Sequence, residues 1–168
     1  MEKTNAMRLL DAKKIGYTAR EYSAELTDGE EVAAALKEEK ERVFKTLVTA
    51  GSDKNYYVFV IPVSETLDLK KAARAAGVKS IAMLPAKRLF PLTGYVHGGC
   101  SPVGMKKQFR TFIEETAQLF DTIFCSGGTT RLQYRNFSRF SSRRGRRNLC
   151  RIDRLNKGRK KRSLRKAI

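Results

Sequence analysis

Val43-Phe44-Lys45-Thr46-Leu47-Val48-Thr49-Ala50, then Gly51-Ser52-Asp53, then Asn55-Tyr56-Tyr57-Val58-Phe59-Val60-Ile61-Pro62-Val63: two runs rich in β-branched and aromatic residues flank a short turn. Such runs read as strands, and so short a connection joins them as a hairpin. The second run is apolar at successive positions, which marks a strand covered on both faces. Pro62 stands at its end, where a missing N–H costs nothing.

Outward from this hairpin the chain alternates irregularly between the two periods. Thr4 caps a helix with Ala6, Met7, Leu9, Leu10 and Ile15 on one face, and Gly16 ends it. Tyr17 to Tyr22 reads as a short strand, Asp28-Gly29 as a turn, and Glu30 to Glu41 as a polar helix with a thin stripe of Val32, Ala35 and Leu36. Asp68 caps a helix through Ala76 that Gly77 stops. Ile81 to Leu84 is a short strand, and Pro85 opens a helical turn through Phe90. Phe109 to Ile113 and Thr122 to Cys125 are further strands, with a helical turn at Glu115 to Leu119 between them. Hairpin-length links with scattered helices predict an α+β fold with a mixed sheet or partial barrel rather than a doubly wound parallel sheet.

The 168 residues suit one domain of ordinary size, and 41% hydrophobic content supplies a core. No apolar run reaches membrane-spanning length, and Met1 to Leu10 lacks the features of a signal peptide, so the expected location is the cytoplasm. Cys100, Cys125 and Cys150 are widely separated, with no C-x-x-C and a single histidine, His97. They read as isolated reduced thiols, and no zinc site is expected.

The net charge of +18 is unevenly spread. Thr129 to Ile168 holds 16 Lys and Arg against one acid, Asp153, whereas Met1 to Gly128 holds 19 against 16. A balanced body of residues 1–128 is therefore followed by a basic tail, 129–168, and the two need separate explanations.

Two segments carry chemistry. Lys45 lies on an apolar strand, on the side of Val43 and Leu47, with Thr46 opposite. Taken alone it reads as an edge-strand lysine reaching to solvent. The other reading is a cation at a pocket mouth, ready for a phosphate or carbonyl oxygen. Thr93 to Gly104 holds four glycines. Either they shape a bent hairpin, or they let backbone N–H groups approach a carbonyl or oxyanion. No G-K-[ST] follows, so it is not a Walker loop. Cys100 beside this loop has no base tied to it, and the adjacent Glu114 and Glu115 diverge into solvent.

These segments together resemble the YbaK/EbsC family, relatives of the editing insertion of bacterial prolyl-tRNA synthetase. The resemblance rests on Asn5-Ala6-Met7-Arg8-Leu9-Leu10, Val43-Phe44-Lys45-Thr46-Leu47, Phe59-Val60-Ile61-Pro62-Val63, Leu67 to Ala73, Thr93-Gly94-Tyr95, Gly98 to Lys107, and Ser126-Gly127-Gly128. It covers Met1 to Gly128, and the order of motifs makes it specific. It implies a mixed, mostly antiparallel, barrel-like sheet flanked by helices. It also implies a trans-acting aminoacyl-tRNA deacylase that removes cysteine from mischarged Cys-tRNA(Pro), with prolyl-tRNA synthetase as a candidate partner. Lys45 takes the family's catalytic position. Tyr22 and Thr46 take substrate-binding positions, and the G-x-x-x-P signature falls on Gly98 and Pro102, with Gly99 and Ser101 between. A cysteinyl ester carries its own thiol, which can attack its own carbonyl. That chemistry needs positioning more than a base, and no metal or redox cofactor is required.

After Gly128 the chain departs from the family, whose members continue with Q/K-R-G, an apolar-Glu-apolar strand and a Ser-Pro-x-Asp helix start. Codons exist for Thr129 to Phe140 that, read one base later, encode Gln-Arg-Gly-Phe-Asn-Ile-Glu-Ile-Ser-Pro-Asp. The tail is therefore expected to be an out-of-frame translation, disordered, leaving an unpaired sheet edge. The competing reading is a genuine RNA-binding extension through Arg143 to Arg147 and Arg159 to Arg162. For the whole chain, the rivals to a Cys-tRNA deacylase are an alanyl- or seryl-tRNA deacylase of the same fold, acting by water attack, and a non-enzymatic RNA-binding protein.

Overall fold

The computed structural model describes residues 2–26, 28–130, 132–137 and 149–151. The elements in order are α1 (Asn5–Ala12), β1 (Tyr17–Glu21), α2 (Gly29–Ala35), β2 (Phe44–Gly51), β3 (Tyr56–Pro62), α3 (Leu69–Ala76), β4 (Ile81–Met83), α4 (Ala86–Thr93), β5 (Arg110–Glu114), β6 (Thr122–Ser126), β7 (Leu132–Phe137) and β8 (Leu149–Arg151). Single 3-10 turns cover Lys40–Arg42 and Glu115–Leu119.

The opening hairpin is the centre of the larger sheet, whose order is β4-β2-β3-β5-β8. β2 and β3 pair antiparallel from Phe44↔Pro62 to Ala50↔Tyr56, and β3 pairs parallel with β5. β3 is thus interior, and Val58 to Ile61 are all buried. Its residues alternate between two layers. Tyr57 and Phe59 face α3, where Ala72, Ala73 and Ala76 pack with Phe112. Val58 and Val60 face the main core with Phe44, Val48, Leu10, Ile113 and Ile123. Asp68 caps α3 by accepting from the Lys70 and Lys71 amides, and Gly77 at φ 76° closes it.

A second sheet runs β1-β7-β6, all antiparallel. Among the described residues one isolated parallel bridge, Val43 to Phe124, links the two sheets. The mixed, mostly antiparallel pairing is as expected, but the sheet does not close into a barrel. β2 and β6 meet at that bridge and are not paired beyond it.

Two helices are shorter than their apolar stripes suggest. α2 stops at Ala35 rather than Glu41 because Lys37 adopts φ 55°, which a right-handed helix cannot contain. Lys14 at φ 54° likewise ends α1 before Ile15. α4 runs past Phe90 to Thr93 with Pro91 inside it, and Gly94 at φ 82° caps it.

The expectation of an unpaired edge after Gly128 does not hold. β7 inserts between β1 and β6, from Glu21↔Leu132↔Gly127 at one end to Tyr17↔Asn136↔Ile123 at the other. Leu132 and Gln133 are buried. Ladder bonds are made by backbone, which any residue but proline supplies, so a segment that departs from the family pattern can still satisfy the donors of β1 and β6. The arginine runs 143–147 and 159–162 lie outside the described residues. Hydrogen exchange tests the insertion. The interior amides of β7 should be protected as those of β6 are; exchange at the rate of an unstructured chain would show that β7 does not form.

Candidate functional site

The site is built where β2 loses its neighbour. β4 pairs with β2 only over Thr49 to Gly51, so the Phe44–Leu47 half has a free edge on that side. Lys45 sits there, half-buried, its Nζ donating to the Val63 carbonyl at 3.2 Å. Continuing the Val43–Phe124 bridge two residues along each strand brings Lys45 and Ser126 to one level and one face. Beyond that bridge the two strands are not paired, and Lys45 marks the candidate site at this level.

Tyr22 lies in the same layer. It packs with Val63, Val43, Phe124 and Leu26 under α2. Burial pushes its phenol pKa up, opposed by a hydrogen bond from the Gln133 side chain. Gln133, paired with Ser126 across β6 and β7, is 6% exposed, and its Oε1 has no hydrogen-bond partner among the described residues. A buried unsatisfied amide oxygen is costly and needs a donor. Nothing in the residue pattern identified Gln133, since its burial follows from the unforeseen strand.

In the glycine loop, a Cβ on Gly99 would lie 2.9 Å from the Thr129 carbonyl carbon and 3.0 Å from the Thr130 nitrogen, so the loop is in backbone contact with the β6–β7 connection. Gly98 has φ 78°, the left-handed region that favours glycine. The Gly99 amide donates to Val96 O at 3.1 Å, so it is already engaged and does not serve an oxyanion.

Ser101 and Pro102 are buried behind the loop, and the Ser101 Oγ accepts from the Val103 amide. The Ser101 hydroxyl is thus engaged within the loop. Thr46 projects to the opposite face of β2 from Lys45, between Phe44 and Val48, and its Oγ1 is buried without a partner among the described residues. Tyr22 thus packs in the cluster that holds Val43, whereas Gly98 and Gly99 lie against the β6–β7 connection and Thr46 projects to the face of β2 opposite Lys45.

The start of α1 fastens both the loop and the β6–β7 connection. Thr4 Oγ1 donates to Gly127 O and Asn5 Nδ2 to Gly104 O, each at 2.6 Å. The Tyr95 hydroxyl donates to Val103 O at 2.6 Å, and burial pushes its pKa up to about 12.

Among the described residues, neither the histidine nor the two buried cysteines offers a ready nucleophile or base. His97 is exposed. Burial pushes the Cys100 and Cys125 thiols up to about 12, which leaves them protonated at neutral pH. Since the thiolate is the reactive form, native protein at pH 8 should leave both unlabelled by iodoacetamide, with labelling appearing only in denaturant. Peptide mass spectrometry reads this directly, and rapid native labelling of Cys100 would contradict its burial. Among the described residues no three His, Cys, Asp or Glu side chains gather at one point, and no helix is long and apolar enough to cross a membrane.

Residues 24–137 match the sequence model of the aminoacyl-tRNA editing domain. The chain is 47% identical over 134 residues to an Enterococcus faecalis protein provisionally named a Cys-tRNA(Pro)/Cys-tRNA(Cys) deacylase, EbsC, covering 79% of this chain and 82% of that one. It is similar to a solved structure provisionally described as a trans-editing enzyme for prolyl tRNA synthetase, with 26% identity, TM-score 0.70, and 82% and 88% of the two chains covered. The hypothetical protein APE2540 shares the fold at 20% identity and TM-score 0.73, over 79% of this chain and 87% of that one.

Proposed function

Because the chain belongs to the aminoacyl-tRNA editing domain family, we propose that it is a trans-acting deacylase that removes cysteine from mischarged Cys-tRNA(Pro). The observation that carries this reading is Lys45, a half-buried ammonium at the free edge of β2 whose hydrogen bond is to a neutral carbonyl. Such a cation retains capacity for a further acceptor.

The reaction needs no protein nucleophile. The substrate sulfur attacks the ester carbonyl carbon, a C–S bond forms, and the C–O bond to the ribose breaks. The thiol proton passes to the departing ribose oxygen, and cysteine leaves as a thiolactone. An intramolecular attack gains its rate from orientation. Lys45 stabilises the negative charge that develops on the carbonyl oxygen, a contribution that grows where water is excluded. The glycine loop, held against Thr129 and Thr130, limits the space for the aminoacyl group, and Gln133 Oε1 offers an acceptor to its ammonium. Serine and alanine enter such a space but bring no thiol.

The enzyme acts in the cytoplasm on tRNA released by prolyl-tRNA synthetase, with which it associates. The test is deacylation of Cys-, Ala- and Ser-tRNA(Pro) by the full chain. Loss of cysteine alone supports the reading. Preferential loss of alanine or serine would assign a water-attack deacylase instead, and no loss from any of them would leave a binding protein.

A further inference from the structure

The body of the protein is close to neutral, but its charges are segregated. Between Asp68 and Glu114 the sequence contains no acidic residue and nine basic ones: Lys70, Lys71, Arg74, Lys79, Lys87, Arg88, Lys106, Lys107 and Arg110. This stretch includes α3, α4 and the whole glycine loop.

Within it, α4 presents an aromatic ring among cations. Phe90 is 55% exposed. Lys106 comes back from the far end of the glycine loop and sets its Nζ 4.8 Å from the ring centroid, while donating to the Phe90 carbonyl at 3.4 Å. Its stem packs against Gly94, the cap of α4. Lys107 beside it is exposed. Lys87 stands one helical turn from Phe90 and Pro91 and, with Arg88, Pro91 and Leu92, lines a shallow cavity of about 230 Å³. Arg88 is committed elsewhere: it lies over the Tyr56 ring and donates to its hydroxyl. The ring thus has one face held by a lysine, an open surface, and further cations on either side. α4 leads directly into the glycine loop.

We propose that this face of α4 docks the single-stranded 3′ end of an RNA, with Phe90 stacking on an unpaired base and Lys87, Lys106 and Lys107 taking the flanking phosphates. Exposed aromatics among lysines are how proteins hold unpaired bases without reading their identity. An acid-free stretch of chain brings no carboxylate of its own against a polyanion. A strand running along α4 toward Gly94 delivers its terminal nucleotide to the glycine loop. The inference deepens the editing reading and rests on it: the docked strand is the end that carries the amino acid.

The test compares two substrates on the full-length chain, Cys-tRNA(Pro) and the cysteinyl ester of adenosine, which lacks the upstream nucleotides. Phe90→Ala should raise KM for the tRNA roughly tenfold or more with kcat unchanged. On cysteinyl-adenosine it should match the wild type, and Phe90→Tyr should restore the tRNA KM. An unchanged KM on tRNA, or an equal loss on both substrates, would overturn the proposal. If the wild type cleaves no cysteinyl ester, the editing reading has failed and the surface is judged by binding alone. The probe is then a fluorescent single-stranded RNA ending in CCA. Phe90→Ala should weaken its binding, and Lys106→Gln should lower the slope of log K against log salt by about 0.7. The tail's cations are common to all variants, so unchanged binding and slope would overturn the surface.

Discussion

Lys45→Ala is expected to lower deacylation of Cys-tRNA(Pro) by roughly 100-fold or more, the loss that follows removal of one preorganised charge-stabilising donor. Stability should barely change. The side chain is half-buried and makes one hydrogen bond, to Val63 O, at a strand edge that water reaches. The loss should fall on kcat rather than KM, because the charge it meets develops only in the transition state. Lys45→Arg keeps the charge but spreads it over a planar fork, and should recover only part of the rate. Full activity in the alanine variant, with an unchanged melting temperature, would remove Lys45 from the mechanism.

Gly99→Ala is expected to damage both turnover and stability. Its Cβ would sit 2.9 Å and 3.0 Å from backbone atoms of Thr129 and Thr130, and backbone, unlike a side-chain tip, cannot swing aside. Either the loop or the β6–β7 connection must move, at a cost of about 1–3 kcal/mol. If both border the aminoacyl group as proposed, turnover should fall with stability. Gly98→Ala separates the two effects. A Cβ there meets only the Thr130 Cγ2 at an ordinary 3.6 Å, but φ 78° strains any L-residue. It should cost about 1 kcal/mol and disturb the loop less. Equal and undiminished activity in both variants, measured alongside their melting curves, would show that the loop only bends the chain.

The hairpin at Val43–Val63, the capped helix after Asp68 and the terminating Gly77 were legible because each is a local matter: period, cap chemistry and positive φ are all written within a few residues. Lys45 was legible as an anomaly, a cation on an apolar strand, and as a motif position. What alternation could not settle was which face held the site. Thr46 matched the motif as well as Lys45, but its neighbours on the strand, Phe44 and Val48, commit that face to the main core. Ser101 and Pro102 matched a signature too, and both are buried in the loop.

The open barrel and β7 were not legible for a different reason. Both depend on which distant edges meet, and β7 carries no clear apolar alternation to announce itself. Its place is set by the unfilled edges of β1 and β6 and by the turn in which the Gly127 amide bonds Leu132 O at 2.6 Å. Gln133 entered the site with it. The family match runs to residue 137, to the end of this strand and nine residues beyond Gly128. A change of reading frame near Thr129 is thus compatible with a folded body provided the new residues pair as these do.

In this mechanism the protein positions a substrate which supplies its own nucleophile. Single-turnover deacylation of Cys-tRNA(Pro) and of S-methylcysteinyl-tRNA(Pro), side by side with the wild-type full chain, tests this most directly. Methylation removes the thiol proton and blunts the sulfur while leaving the ester and the tRNA unchanged. Rapid loss of cysteine is expected, with no enzyme-dependent loss of S-methylcysteine even at concentrations where the methylated substrate competes for the site. Comparable cleavage of both would mean that water or a protein group attacks the ester, and would contradict this mechanism.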